Sequence, residues 1–274
     1  MQALPFVFSL LVAGALTPLV LSRLTEAGAT RENYRSRRLP IPLGLVVVPA
    51  ALIALIPVML LARLTDADVY PDNLGFAVVF IPGIALLGLI DDALSGEGRG
   101  WRGHGHDVLG GSLSTGLLKA GGTLGLALLV ASSLPGSDAD FLLATAVLVL
   151  ATNAFNLLDL RPGRSIKAFV LLGIGLTIAT SNTAAPAGLG IFIAPLLVAG
   201  WYDLREKAML GDTGANAIGG LAGLWIVLTL DPDGQVIALL ILLAVNLFGE
   251  FRSISKVIEK VPGLRHLDSL GRPK

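Results

Sequence analysis

The sequence predicts an all-α polytopic membrane protein of about nine transmembrane helices, with the amino terminus outside and the carboxyl terminus in the cytoplasm. Three observations predict it. Of the 274 residues, 54% are hydrophobic and 15% charged, whereas a soluble domain carries about 25% charged residues. Nine apolar runs approach the roughly 17 to 25 residues that a helix needs to cross a hydrocarbon core. Lysine and arginine, finally, fall almost entirely in alternate loops. The runs are continuously apolar rather than alternating, which disfavours β-barrel strands.

The runs lie near 3–21, 41–62, 74–90, 113–133, 141–158, 166–180, 185–200, 214–230 and 235–249. Loops 22–40, 91–112, 159–167 and 201–213 and the tail 250–274 hold every lysine and arginine except Arg63 and Lys119. The opposite loops carry Asp66, Asp68, Asp72, Asp138, Asp140, Asp231 and Asp233. By the positive-inside rule the basic set is cytoplasmic, and an odd number of spans then places the amino terminus outside. The 33 glycines suit close helix packing in a bilayer. Cysteine is absent, which excludes disulfides and thiolate metal sites. No basic residue precedes the first run, so it does not read as a cleaved signal peptide.

Two parts follow: a helical body, 1–249, and a tail, 250–274. In the tail, Phe251, Ile254, Val257, Ile258 and Val261 recur at helical spacing, with Arg252, Lys256, Glu259 and Lys260 between them. That pattern predicts an amphipathic helix on the cytoplasmic interface, ended by Pro262 and Gly263.

An acid inside a bilayer is costly, about 2.5–3.5 kcal/mol at a helix centre, so the placement of each polar cluster carries information. Asp91 and Asp92 close the third run. Paired carboxylates at a helix carboxyl end oppose its dipole and call for a cation, either a divalent metal or a basic side chain; a plain polar stop to the span is the alternative. Asn153, Asn156 and Asp159 end the fifth run at intervals of three, which is expected to set them on one side of a helix. They would supply hard oxygen ligands there, or interhelical hydrogen bonds alone.

Gly211-Asp212-Thr213-Gly214 opens the eighth run, where free N–H groups and glycine suit a phosphate and a carboxylate suits Mg²⁺; helix capping explains Asp212 or Thr213 equally simply. Lys119, just inside the fourth run, is either a counter-charge to a bound phosphate or a snorkelling side chain. His104, His106 and His266 read as solvated. Together these groups form a kit for holding a pyrophosphate through a divalent metal at the lipid–water boundary.

IDD at 90–92, NAFNLLD at 153–159 and MLGDTGA at 209–215, in that order, resemble the motifs of the polyprenyl-phosphate N-acetylhexosamine-1-phosphate transferases, the MraY- and WecA-like enzymes. NYRSRRLP at 33–40 resembles the first cytoplasmic loop of some members, and the resemblance covers nearly the whole chain. It implies transfer of a sugar-1-phosphate from a nucleotide-sugar, of UDP-HexNAc type, to a polyprenyl phosphate, with Mg²⁺ or Mn²⁺ as cofactor and release of a nucleoside monophosphate. Cell-envelope glycan synthesis in the plasma membrane would be the setting.

By position, the resemblance implies that Asp91 and Asp92 deprotonate or orient the lipid phosphate. Asn156 and Asp212 would hold the metal, Lys119 would contact phosphate, and Asn153 and Asp159 would line the nucleotide site. Where relatives read DGLDG, this chain reads Asp159-Leu160-Arg161-Pro162-Gly163, with proline in place of the acid that helps recognise uracil. Arg161 and Arg164 are then the candidates to grip a donor phosphate or an acidic sugar. The tail helix with Arg35, Arg37 and Arg38 would anchor near the lipid headgroup.

The expected partners are lipid bilayer, polyprenyl phosphate and nucleotide-sugar, with no nucleic acid; a homodimer stays open. A CDP-alcohol phosphatidyltransferase would need several aspartates along one continuous motif, which no cytoplasmic run shows. A transporter would place its charges or helix breaks near mid-membrane. An inactive scaffold that binds lipid phosphate remains the alternative to an enzyme.

Overall fold

The computed structural model describes residues 3–65, 69–70, 73–94 and 115–273. Among them the chain is helical apart from one short hairpin, so the all-α membrane architecture stands. Among the described residues nine long helices run in order: α1 (Leu4–Glu26), α2 (Val47–Leu64), α3 (Leu74–Leu94), α4 (Thr115–Ala131), α5 (Asp138–Leu158), α6 (Arg164–Thr180), α7 (Ala184–Leu204), α8 (Gly211–Thr229) and α9 (Pro232–Phe251). Two short ones, α10 (Ile254–Lys260) and α11 (Pro262–Ser269), follow. Each apolar run coincides with a long helix, and six of these helices, α1, α2 with its preceding turn, α3, α5, α7 and α9, are long and apolar enough to cross a membrane. Asp66, Asp68, Asp72, His104 and His106 lie outside the described residues.

Local chemistry starts several helices. α5 opens on a reciprocal cap, in which Ser137 N donates to Asp140 Oδ2 at 2.8 Å and Asp140 N donates to Ser137 Oγ at 3.3 Å. α9 opens with Pro232 after Asp231, whose carboxylate accepts from Gly234 N at 2.9 Å. These acids therefore sit at helix amino ends, where the dipole favours them.

α8 is the axle. From Thr213 to Val227 every residue is buried, with α3, α5, α6, α7 and the turn before α2 packed around it. That explains why its glycine- and alanine-rich sequence is less apolar than the outer spans. It faces protein, not lipid, and small residues let neighbouring backbones close in. A Cβ on Gly219 would lie 2.6 Å from Thr152 Cα of α5, and one on Gly88 of α3 would meet the backbone of Asp212 and Thr213. The outer helices invert the soluble pattern: α9 packs mainly against α5 and exposes Ile237, Leu240, Ile241 and Phe251.

Two parts of the fold differ from the sequence expectation. The first basic loop folds into an antiparallel hairpin, β1 (Thr30–Glu32) with β2 (Arg38–Pro40). It runs into a 3-10 turn, Leu43–Val46, stitched to the α7–α8 loop by Met209 N to Pro40 O at 2.9 Å and Leu43 N to Met209 O at 2.8 Å. In the tail, Phe251 belongs to α9, the expected helix is confined to α10 and stops at Lys260 before Pro262, and Pro262 takes the first position of a further helix, α11, where its missing N–H costs nothing.

Packing makes a contrast that can be measured. Gly219→Ala should destabilise by about 1–3 kcal/mol through overpacking, because the obstacle is backbone. Gly121→Ala on α4 meets nothing within 4 Å and should stabilise by roughly 0.5–1 kcal/mol. Thermal unfolding of the two variants in detergent checks both signs.

Candidate functional site

The carboxyl ends of α3, α5 and α7 meet the amino ends of α4, α6 and α8 at the end of the bundle that carries the hairpin. The amino end of α8 is reached through Gly211, whose φ of +71° is left-handed, a conformation open to glycine at no steric cost. No side chain of α8 caps its own start. The cap comes instead from α3: Asp92 accepts from Asp212 N at 3.0 Å, Thr213 N at 2.9 Å and Thr213 Oγ1 at 2.7 Å. Asp92 thus fills N–H groups that a helix start leaves open and places its charge on the positive end of the dipole.

Asp91, one residue earlier on α3, turns elsewhere. Lys119 Nζ lies 3.5 Å from Asp91 Oδ2 and 2.5 Å from Asp212 Oδ2, with the lysine side chain only 14% exposed. Asn156 closes the group. With its amide nitrogen turned to Asp212, as the surrounding donors and acceptors require, it donates to Asp212 Oδ1 at 3.1 Å and accepts from Lys119 Nζ at 3.0 Å. Oxygens from α3, α5 and α8 thus surround a single cation, the ammonium of α4.

Asp159, the carboxyl cap of α5, sits beside this group. Burial raises its carboxyl well above the usual carboxylate range, the charges of Asp203, Asp212 and Asp92 raise it further, and Arg164 opposes them.

The predicted residues divide. Asp91, Asp92, Lys119, Asn156 and Asp212 are brought together, with Asp159 adjacent, and the basic side chain foreseen for the paired acids is Lys119. Asn153 does not share their face: it is exposed and donates to Asn246 of α9 at 2.6 Å. Steps of three residues rotate by about 60° each around a helix, so the three polar groups of α5 fan out instead of stacking.

Arg161 donates to Glu259 at 2.8 Å and lies 4.2 Å over the Tyr34 ring. Arg164 is almost fully buried and grips Asp268 through two bonds, at 2.8 and 3.1 Å. Both arginines are engaged within the protein. Arg35 and Arg37 turn inward to Glu206, each at 3.5 Å, and Arg38 is the more exposed one, 3.8 Å from Glu32.

Reading the sequence missed three participants. Asp203 accepts from Gly163 N at 2.6 Å and closes the α5–α6 turn. Glu206 is buried under the hairpin. The tail docks by its backbone as well, since Lys167 Nζ donates to the carbonyls of Leu267, Asp268 and Leu270, and Arg272 donates to Pro162 O at 2.7 Å. The sequence signal was an acid within each basic loop, which reads as solvated until its partner from a distant loop is known.

Among the described residues no three acids or histidines converge on one point. Two carboxylates and an amide oxygen do, around Lys119, and that hard-oxygen set fits a divalent cation that keeps water or takes phosphate oxygens for its remaining positions.

Desolvation works against the ionised Asp268, but the hydrogen bonds from Arg164 and Arg272 outweigh it and hold the carboxyl down at about 2. Because its folded value lies below the ordinary 3.8, its stabilising effect is complete above about pH 4 and vanishes as pH falls through about 2. Pepsin cleavage between Leu264 and Leu270 should stay slow at pH 4 and accelerate towards pH 2. Asp92→Ala should lower stability by about 1–3 kcal/mol, since buried N–H groups of α8 lose their acceptor, and denaturant titration measures it.

No family model matches the chain, and no curated protein resembles it significantly.

Proposed function

We propose that the protein is a Mg²⁺-dependent phosphoglycosyltransferase, acting at the cytoplasmic membrane face on a nucleotide-sugar and a polyprenyl phosphate. The observation that carries this reading is the convergence of Asp91, Asp212, Asn156 and Lys119 from four helices at one end of the bundle. The three motifs that resemble the polyprenyl-phosphate sugar-1-phosphate transferases supply the reaction. Nine spans, with the hairpin end inside, give the topology that the loop charges favour.

Phosphoryl transfer asks a protein chiefly for positioning and charge stabilisation. Asp212, Asp91 and the Asn156 amide oxygen would hold the divalent cation, which supplies neutralisation of the donor pyrophosphate. Lys119, released from the carboxylates it now pairs with, would turn its ammonium to a phosphate oxygen. The lipid phosphate oxygen forms the new bond to the sugar-linked phosphorus, and the bridging P–O bond breaks. The electron pair leaves on the nucleoside monophosphate. Asp92 holds the α8 start, and with it Asp212, in register.

A second reading, a lipid-phosphate-binding relative without turnover, draws on the internal engagement of Arg161 and Arg164. One assay separates the two. Purified protein with Mg²⁺, undecaprenyl phosphate and a panel of nucleotide-sugars should release nucleoside monophosphate, and Asp212→Asn should cut the rate by roughly 10²–10³-fold, the scale of losing one preorganised electrostatic contact. Silence with every donor favours the scaffold. Lys119→Met should lower the melting temperature in EDTA by leaving two acids without their counter-ion, and millimolar Mg²⁺ should restore it.

A further inference from the structure

Asn216 follows Asp212 by one turn of α8 and is 1% exposed. Neither its Nδ2 nor its Oδ1 has a partner among the described residues. Buried polar groups are almost always filled by protein or ordered water, and here both ends of one amide are open. The residues beside and after it in α8 are alanine, glycine and aliphatic residues, and the Thr213 hydroxyl one turn before it donates to Asp92.

Helical geometry fixes where it points. A residue four further on shares the face of Asp212, and its Cβ leans towards the helix amino end, back to that carboxylate. Gly219 marks the close approach of α5 to one side of α8, and Gly88 that of α3 to the other. By that geometry Asn216 falls between the two, on the side of α8 from which Lys119 reaches Asp212. Four residues rise about 6 Å, too far for a direct bond to the ion-pair cluster and suited to one intervening oxygen.

The occupant must offer both a donor and an acceptor, beside two carboxylates. A free phosphate oxygen would face those negative charges, whereas a water carried by a divalent cation would not. Mg²⁺ usually keeps several such waters. We propose that Asn216 is a positioning residue for a hydrated divalent cation held by Asp212 and Asp91, its Oδ1 accepting from one cation-bound water and its Nδ2 donating to another oxygen of the same shell. The inference rests on the cation reading of the site given above.

The test uses the full chain in nanodiscs with Mn²⁺ as the probe, followed by electron paramagnetic resonance for affinity and by deuterium modulation in D₂O for the number of bound waters. Asn216→Ala and Asn216→Leu should weaken Mn²⁺ binding by about 10–100-fold, the usual effect of losing an outer-shell partner, and change the water count. Asn216→Asp should restore binding to within a few-fold of wild type. In the absence of Mn²⁺ the Leu variant should melt no lower than wild type, since two unpaired polar atoms are gone.

Unchanged affinity and water count in folded Ala and Leu variants would mean an internal water unrelated to the cation, and would overturn the proposal while leaving the cation site intact. Absence of Mn²⁺ binding in wild type, or binding unaffected by Asp212→Asn, would overturn the cation reading and this inference with it. Should either variant unfold, Asn216→Ser is read in the same titration against the same thresholds.

Discussion

A helix that begins inside a protein must have its first N–H groups filled by something other than water. α8 begins in this way, and Asp92 fills them from α3. Much of the site's geometry follows from that interaction. It sets α3 against α8 at one height, which the absence of a side chain at Gly88 permits. With Asp92 committed to α8, its neighbour Asp91 is rotated towards α4. Asp212, whose own N–H belongs to the cap, is held with its carboxylate facing α5 and Lys119.

The electrostatics follow from the same arrangement. Two carboxylates, Asp91 and Asp212, face one ammonium, and Asn156 fits between them because its amide presents either an oxygen or a nitrogen. Elsewhere at this end of the bundle two acids are each held by two arginines: Glu206 by Arg35 and Arg37, and Asp268 by Arg164 and Arg272. These contacts tie the hairpin and the tail to the helix ends around the Lys119 group.

The helices were legible because apolar runs and membrane thickness are one-dimensional facts, and the gathering of acids at one end was legible from loop charge. Asp91, Lys119, Asn156 and Asp212 could be picked out since each sits where a span ends, at a cost that asks for a reason. Asn153, Arg161 and Arg164 show the limit. Their partners, Asn246, Glu259 and Asp268, lie 93 to 104 residues away in sequence, and nothing local distinguishes a charge that meets substrate from one that meets a distant helix. Pro162 likewise belongs to the structure: its carbonyl receives Arg272, and the glycine after it meets Asp203.

The long reach of Arg164 also bears on how the protein is made. Its guanidinium is synthesised 104 residues ahead of the carboxylate that holds it, and α7, α8 and α9 emerge in between. Until Asp268 arrives, the start of α6 carries a bare cation that keeps to water or lipid headgroups. The bonds that hold the start of α6 to the tail can therefore form only once α9 has been synthesised.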